Sequence, residues 1–147
     1  MSLQEHAERN RVVVRYRDGR MLKGYSLDFT PVKETFRLVS ELPDDKGQTF
    51  EVRMADLKAI FFVKDYHGDR NHGEGPGFEE VDHSSLSGVM IKVTFFDGEV
   101  IRGKCLGYSK NRKGFFIFPI DRESNNERIY VVTDALFDVK VGEPAKV

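Results

Sequence analysis

The sequence predicts an all-β protein built from two tandem five-stranded barrels. Three observations support this prediction: a self-similarity at a constant offset of 79 residues, apolar and polar residues that alternate with period two, and an Asp-Gly pair after the first alternating run of each copy. The resulting division is a first barrel at 1–63, an acidic Gly- and His-rich linker at 64–88, and a second barrel at 89–147.

The two copies align without a gap. Asp18-Gly19 corresponds to Asp97-Gly98, and Gly24 corresponds to Gly103. An ungapped register with matched glycines is typical of an internal duplication. The sequence therefore predicts that both copies adopt the same fold.

Within each copy, the local patterns indicate five short strands. Val12, Val14 and Tyr16 alternate with Val13, Arg15 and Arg17, and Asp-Gly then predicts a tight hairpin with a type I′ turn. Gly24 lies inside the second strand, where glycine usually marks a sharp bend or a close backbone approach. The remaining predicted strands cover residues 36–39, 50–54 and 57–63, and in the second copy 115–118, 128–133 and 136–141.

Two runs are apolar at every position, residues 59–63 and 115–118. Successive side chains of a strand point to opposite faces, so both faces of these strands must be covered. One face fills a barrel. We expect the other face of these strands to form an apolar interface, between the repeats or between subunits, at Phe61, Phe116 and Phe118.

The composition of the chain argues against several classes of function. The net charge is −1, far from the large positive excess typical of proteins that hold a nucleic-acid backbone. The single cysteine, Cys105, gives no paired-cysteine motif. Three of the four histidines lie in the linker and one is His6, so no catalytic arrangement is indicated and no cofactor or metal is expected. The first ten residues show no secretory signal, so we expect a cytoplasmic protein with no membrane partner.

The strand–Asp-Gly–strand opening, the glycine five residues later and the stretch 53–60 (RMADLKAI) resemble the Sm and LSm family of small, SH3-like, RNA-associated barrels. This resemblance implies the barrel fold and association with RNA. It also implies a short N-terminal helix, which in this sequence would be formed by residues 2–10. Thr30 and Glu34 stand where that family has an aspartate and a base-contacting asparagine, so its uridine recognition does not transfer. The chain is more closely similar to a group of uncharacterised bacterial two-repeat proteins, through GFFIFP at 114–119 and SNN at 124–126. That similarity implies no activity.

Basic residues give the candidate nucleic-acid contacts, which are Arg15, Arg17, Arg53, Arg112 and Lys113. Cations along a groove with nearby aromatic rings can follow a phosphate backbone and stack bases. The alternative is the solvated outer face of an amphipathic hairpin.

Two further readings remain open. Arg11 and Arg15 have the RxxxR spacing of PilZ domains, barrels that bind cyclic dinucleotides, and guanidinium pairs hold phosphate well. The linker carries possible metal ligands, although a flexible, acidic, glycine-rich connector is the better explanation; they are His67, Asp69, His72, Glu74, Glu79, Glu80, Asp82 and His83.

From these observations we expect a non-enzymatic binding or assembly module in a bacterial cytoplasm. Protein interaction or self-association is the first hypothesis, because the strands at 59–63 and 115–118 are apolar on both faces and both faces must be buried. Binding of RNA or DNA by an Sm-like protein is the second, and a PilZ-like barrel for cyclic dinucleotides is the third.

Overall fold

The computed structural model describes residues 10–63, 88–106, 108, 111–120 and 126–142. These residues form ten strands and two short 3-10 turns, Met54–Asp56 and Thr133–Ala135. The strands are β1 Asn10–Tyr16, β2 Met21–Ser26, β3 Thr35–Ser40, β4 Thr49–Arg53, β5 Leu57–Val63, β6 Val89–Phe95, β7 Val100–Cys105, β8 Gly114–Ile117, β9 Asn126–Val132 and β10 Leu136–Val141. The all-β prediction is confirmed. The implied helix at 2–10 is wrong at Asn10, which begins β1; residues 2–9 and most of the linker lie outside the described residues.

The strands form a seven-stranded sheet, in the order β4-β3-β2-β1-β5-β9-β8, and a three-stranded sheet, in the order β10-β6-β7. A single bridge between Lys104 and Phe118 connects them. The prediction of two closed five-stranded barrels is wrong, because the described residues contain no closed barrel. The reason is that β5 does not return to its own β4: it pairs antiparallel with β9, from Ala59↔Val131 to Val63↔Asn126.

Strands β5 and β9 are shared between two cores. Ala59, Phe61 and Val63 pack with Ile91, Val93, Phe95 and neighbours, whereas Ile60 and Phe62 pack with Val12, Val14, Phe36 and neighbours. On β9, Ile129 and Val131 join the first of these groups, and Tyr130 and Val132 join the second. The alternation of a strand explains this division, since successive side chains leave on opposite faces. Every residue of β5 is buried, as its apolar run requires.

The Asp-Gly hairpins differ from the expected turn type. Gly19 and Gly98 have φ of 98° and 93°, but no other residue type has positive φ among the described residues, so Asp18 and Asp97 do not. Type I′ needs positive φ at both central positions. Tyr16 N–H donates to Arg20 O at 2.9 Å, which leaves a three-residue loop ending in a left-handed glycine. The loop is therefore a type I turn with a glycine bulge, and the type I′ prediction is wrong.

The glycines inside the second strands are required by close approach. A Cβ on Gly24 would lie 2.0 Å from Val39 O, and one on Gly103 would lie 2.5 Å from Phe118 O. Both glycines pair at matching register, Gly24 with Val12 and Gly103 with Ile91, at the same offset of 79 residues. Glycine is therefore needed at these two positions because the neighbouring backbone lies too close for a Cβ atom, and not because of a positive φ.

Candidate nucleic-acid interface

One face of the three-stranded sheet is turned away from the cores. Ile91, Val93 and Phe95 of β6 are buried, so the alternating positions of β6 and their partners in register form the opposite side. We call this side the open face; its residues are Met90, Lys92, Thr94, Val100, Arg102, Lys104, Asp138 and Lys140.

A row of cations crosses the open face. Lys140 of β10 pairs with Lys92 of β6, and Lys92 pairs with Arg102 of β7, so three like charges stand side by side on three neighbouring strands. Lys104 follows on the same side of β7, and Asp138 is a carboxylate of this face. We call Lys140, Lys92 and Arg102 the basic row.

Two exposed aromatic rings lie at one end of the open face. Phe96 directly follows β6 and Phe137 lies at the register shift of β10, between Leu136 and Asp138. The two rings meet edge to face with centroids 5.8 Å apart, while their residues remain 68% and 69% exposed. The backbone fixes this position, since Phe96 N–H donates to Ala135 O at 3.2 Å. The two rings thus form a small exposed apolar patch at this end of the open face.

The corresponding face of the first half differs at two of these positions, which are apolar there and packed in a core. Val13 lies at the position of Lys92, and Phe61 at that of Lys140, 79 residues earlier. Val13 and Phe61 pair in register, and both pack into the core that the second half contributes to. The first half keeps cations on the equivalent side at Arg11, Arg15 and Lys23, but it carries Val13 and Phe61 where the second half has Lys92 and Lys140.

The five basic residues predicted from the sequence do not converge. Arg53 and Lys113 line one cleft, and Arg112 is exposed next to Lys113. Arg15 lies elsewhere, with its guanidinium 5.9 Å from the centre of the Phe61 ring, and Arg17 is exposed in the first hairpin. Arg11, the partner of Arg15 in the PilZ-like reading, lies on the same strand.

The cleft lies where the two halves meet and has a volume of about 340 Å³. Its wall combines residues of β3 and β4 with residues of β9 and the segment before β8, including Lys33, Thr35, Arg53, Lys113 and Tyr130. Glu34 and Asp134 also line it, and Glu34 lies 3.9 Å from Lys113 in an exposed ion pair. Burial raises the pKa of the Tyr130 phenol, and the nearby Arg112 charge partly offsets this. The charges of the cleft are therefore mixed.

The aromatic residues predicted to form an interface occupy different environments. Phe61 is buried in the core around Ile91 and Val93. Phe116 packs against the other core, with its ring centroid 5.9 Å from that of Phe62 and 5.1 Å from that of Tyr130.

Phe118 is half-buried, and its ring centroid lies 6.4 Å from that of Phe116. The guanidinium of Arg128 lies 4.4 Å from the Phe62 ring centre and 4.9 Å from that of Phe116. A cation against two aromatic faces stabilises the place where β5 and β9 meet.

A buried lysine of β5, Lys58, forms ion pairs with two carboxylates of the second half. Lys58 is 5% exposed, and its ammonium donates to Asp97 Oδ2 at 2.7 Å and to Glu99 Oε1. The same ammonium lies 4.7 Å from the Phe95 ring centre. The Lys58 hydrogen bond, followed by the Glu99 backbone N–H, lowers the pKa of Asp97 below its ordinary value. Lys58 thus forms ion pairs with two carboxylates of the hairpin between β6 and β7.

Comparison with family models gives one match. Residues 8–142 fit the model of a family of unknown function, DUF6982. The chain belongs to this family. No curated protein and no solved structure matches the chain. The expectation of a family without a known function is confirmed, and the resemblance to Sm proteins finds no support in these comparisons.

Sequence reasoning missed the open face. Lys92, Arg102, Lys140 and the pair Phe96 and Phe137 were not among the candidates, although they occur at alternate positions or at the ends of predicted strands. The missing information was the order of the strands, which sets three separate cations in one row.

The described residues contain neither a helix that could span a membrane nor a cluster of metal ligands. No helix there has the length and apolarity to cross a membrane. No group of three or more His, Cys, Asp or Glu side chains in that part of the chain could hold a metal ion. The possible ligands of the linker, from His67 to His83, lie outside it.

Proposed function

We propose that this chain is a non-enzymatic binding module that holds single-stranded nucleic acid on the open face. The observation that carries the proposal is the combination of the basic row with the exposed pair Phe96 and Phe137 on one sheet face. Modules that bind single strands combine the same two elements, cations that follow the phosphates and aromatic rings on which bases stack.

The geometry favours a single strand over a duplex. Phe96 lies four residues beyond Lys92, which corresponds to about 13 Å along an extended strand. A chain of nucleotides crossing the face would place phosphates at the basic row and turn bases onto the rings. The bases of a duplex are already stacked on each other and cannot reach Phe96 and Phe137 without being flipped out. Because stacking is tolerant of sequence, we expect little sequence preference.

We propose further that the chain arose by tandem duplication of a five-stranded, Sm-like unit. Support comes from the strand pairs, because β1–β2 and β6–β7 pair at registers that differ by the constant offset of 79 residues. In this account the two copies have diverged. Val13 and Phe61 join the units, while Lys92 and Lys140 at the same positions of the second unit bind the ligand.

The competing function is protein interaction, because exposed aromatic rings are also common anchors at protein interfaces. An acidic protein partner would use the same face, and a small phosphorylated ligand would use the cleft at Arg53 and Lys113. The experiment therefore needs variants of both surfaces.

The test is fluorescence anisotropy with a labelled single-stranded oligonucleotide of about 12 nucleotides, within the site sizes of single-strand binders. We expect Phe96→Ala with Phe137→Ala to weaken binding about tenfold or more, since stacking contributes roughly 1–3 kcal/mol per base. Arg102→Gln should lower the salt dependence of log K by about 0.7, the value for one phosphate contact on a single strand.

Matched controls are Arg53→Gln and Lys113→Gln, which remove equal charge from the cleft and should leave affinity within about twofold of wild type. The proposal fails if wild type does not bind the oligonucleotide, or if the cleft variants lose affinity while the open-face variants do not. Loss in the cleft variants alone would favour the small-ligand reading.

A further inference from the structure

Strand β10 is an edge strand. Within the described residues it pairs with β6 alone. Gly142 N–H donates to Met90 O at 2.9 Å, so the backbone groups of alternate residues, including Lys140, point towards β6. The N–H and C=O groups of Val139 and Val141 therefore point to the open side. Such a row of backbone groups is a template for another strand.

The side chains at this edge are complementary to themselves. Asp138 and Lys140 flank Val139, and both lie on the open face. If a second β10 ran antiparallel with Val139 opposite its own copy, each Asp138 would lie opposite the Lys140 of the other chain. Those two positions would be non-hydrogen-bonded pairs, where Cα atoms lie about 4.5 Å apart and side chains approach closely. Val141, 38% exposed, would gain apolar cover.

We propose that two copies of this chain associate through β10, antiparallel about a two-fold axis at Val139. Val139 of each copy donates its N–H to the C=O of the other, and two Asp138–Lys140 ion pairs close on the open face. A two-fold contact of this kind uses one patch twice and closes, so it stops at the dimer. Residues opposite one another share a face, so the open faces of both copies lie on one side of a six-stranded sheet.

Head-to-tail extension, with β10 of one copy on β4 of the next, fits the residues less well. The internal junction of β5 with β9 buries Ala59 and Phe61, and the residues 79 positions later are Asp138 and Lys140. Repeating that junction would bring both charges into the core around Val52, which is fully buried. Burying a charge without a partner is costly, whereas the two-fold arrangement pairs each charge.

The experiment is sedimentation velocity of the full chain across a concentration series, without nucleic acid. We expect wild type to reach twice the chain mass of 16.9 kDa. Asp138→Lys and Lys140→Asp each create two like-charge pairs and should weaken the dimer about tenfold or more. The double variant D138K/K140D restores opposite charges and should restore the dimer.

Glu51→Lys on β4 makes the same change of charge as Asp138→Lys at the other edge of the molecule, and should leave the dimer intact. Circular dichroism establishes that each variant is folded. A wild type that stays monomeric overturns the proposal. So do single variants that dimerise as wild type does, or a folded double variant that stays monomeric. Because the readout is mass alone, the result is separate from nucleic-acid binding.

Discussion

The ammonium of Lys58, at the start of β5, lies 2.7 Å from Asp97 Oδ2 in the hairpin between β6 and β7. Its side chain is 6% exposed, whereas that of Asp97 is 58% exposed. The pair therefore joins a buried charge to a solvated one across the boundary between the two halves.

Reversal of the Lys58 charge should be severe. Lys58→Glu places a buried carboxylate beside Asp97 and Glu99, and we expect it to lower the free energy of unfolding by about 3–5 kcal/mol. Lys58→Met should cost only about 1 kcal/mol, because the two carboxylates can be solvated once the lysine is gone. Urea denaturation measures both. The control is Arg20→Met, which breaks the exposed pair of Arg20 with Asp18 and should change stability by less than about 1 kcal/mol.

The pH dependence of stability should report Asp97. Its pKa is lowered in the folded protein, chiefly by the Lys58 hydrogen bond, so its contribution is fully present above the pKa of the unfolded chain. That contribution is lost as the pH falls through the lowered folded pKa. This contribution can be measured by comparing the urea midpoints of wild type and Asp97→Asn, first at pH 6 and then below pH about 4. The difference between the two proteins should shrink at the lower pH; a gap that stays constant would contradict this assignment.

The close-packed glycines give a third prediction. Gly24→Ala would bring a Cβ to 2.0 Å from Val39 O, and Gly103→Ala to 2.5 Å from Phe118 O, so each should destabilise by about 1–3 kcal/mol or more. Gly47→Ala is a useful comparison, since its positive φ strains the backbone while its surroundings are open. In thermal unfolding, Gly24→Ala should have a lower melting temperature than Gly47→Ala. The reverse order would mean that β2 and β3 lie farther apart than described.

The aromatic junction gives a fourth prediction. Phe116→Asp introduces a carboxylate among the rings of Phe62 and Tyr130, and we expect it to cost about 2–4 kcal/mol through lost apolar burial and an unpaired polar group. Phe96→Asp makes the same change at a ring that is 68% exposed, and should leave the melting temperature nearly unchanged. Equal melting temperatures for wild type and Phe116→Asp would show that this ring does not join the two halves.

The positions of the strands and of Gly24 and Gly103 could be predicted because they depend on local patterns. Alternation with period two marks a half-buried strand wherever it occurs, and glycine inside a strand signals close approach. The buried run at 59–63 correctly indicated a strand with two covered faces.

Strand order could not be predicted, because it depends on contacts between distant segments. Nothing local in Phe61 or Val131 says that β5 pairs with β9 and leaves the predicted barrels open. The same limit hid the basic row, since Lys140, Lys92 and Arg102 become neighbours only when three strands are aligned. The turn type was wrong because Asp-Gly fits both a two-residue loop and the longer bulged loop observed.

The most direct test of the central claim is a chemical-shift map of the backbone amides during titration with a single-stranded oligonucleotide. The account predicts the largest changes at Lys92, Thr94, Phe96, Arg102 and Phe137, and small changes around the cleft at Arg53 and Lys113. Changes confined to the cleft, or none at saturating oligonucleotide, would contradict it.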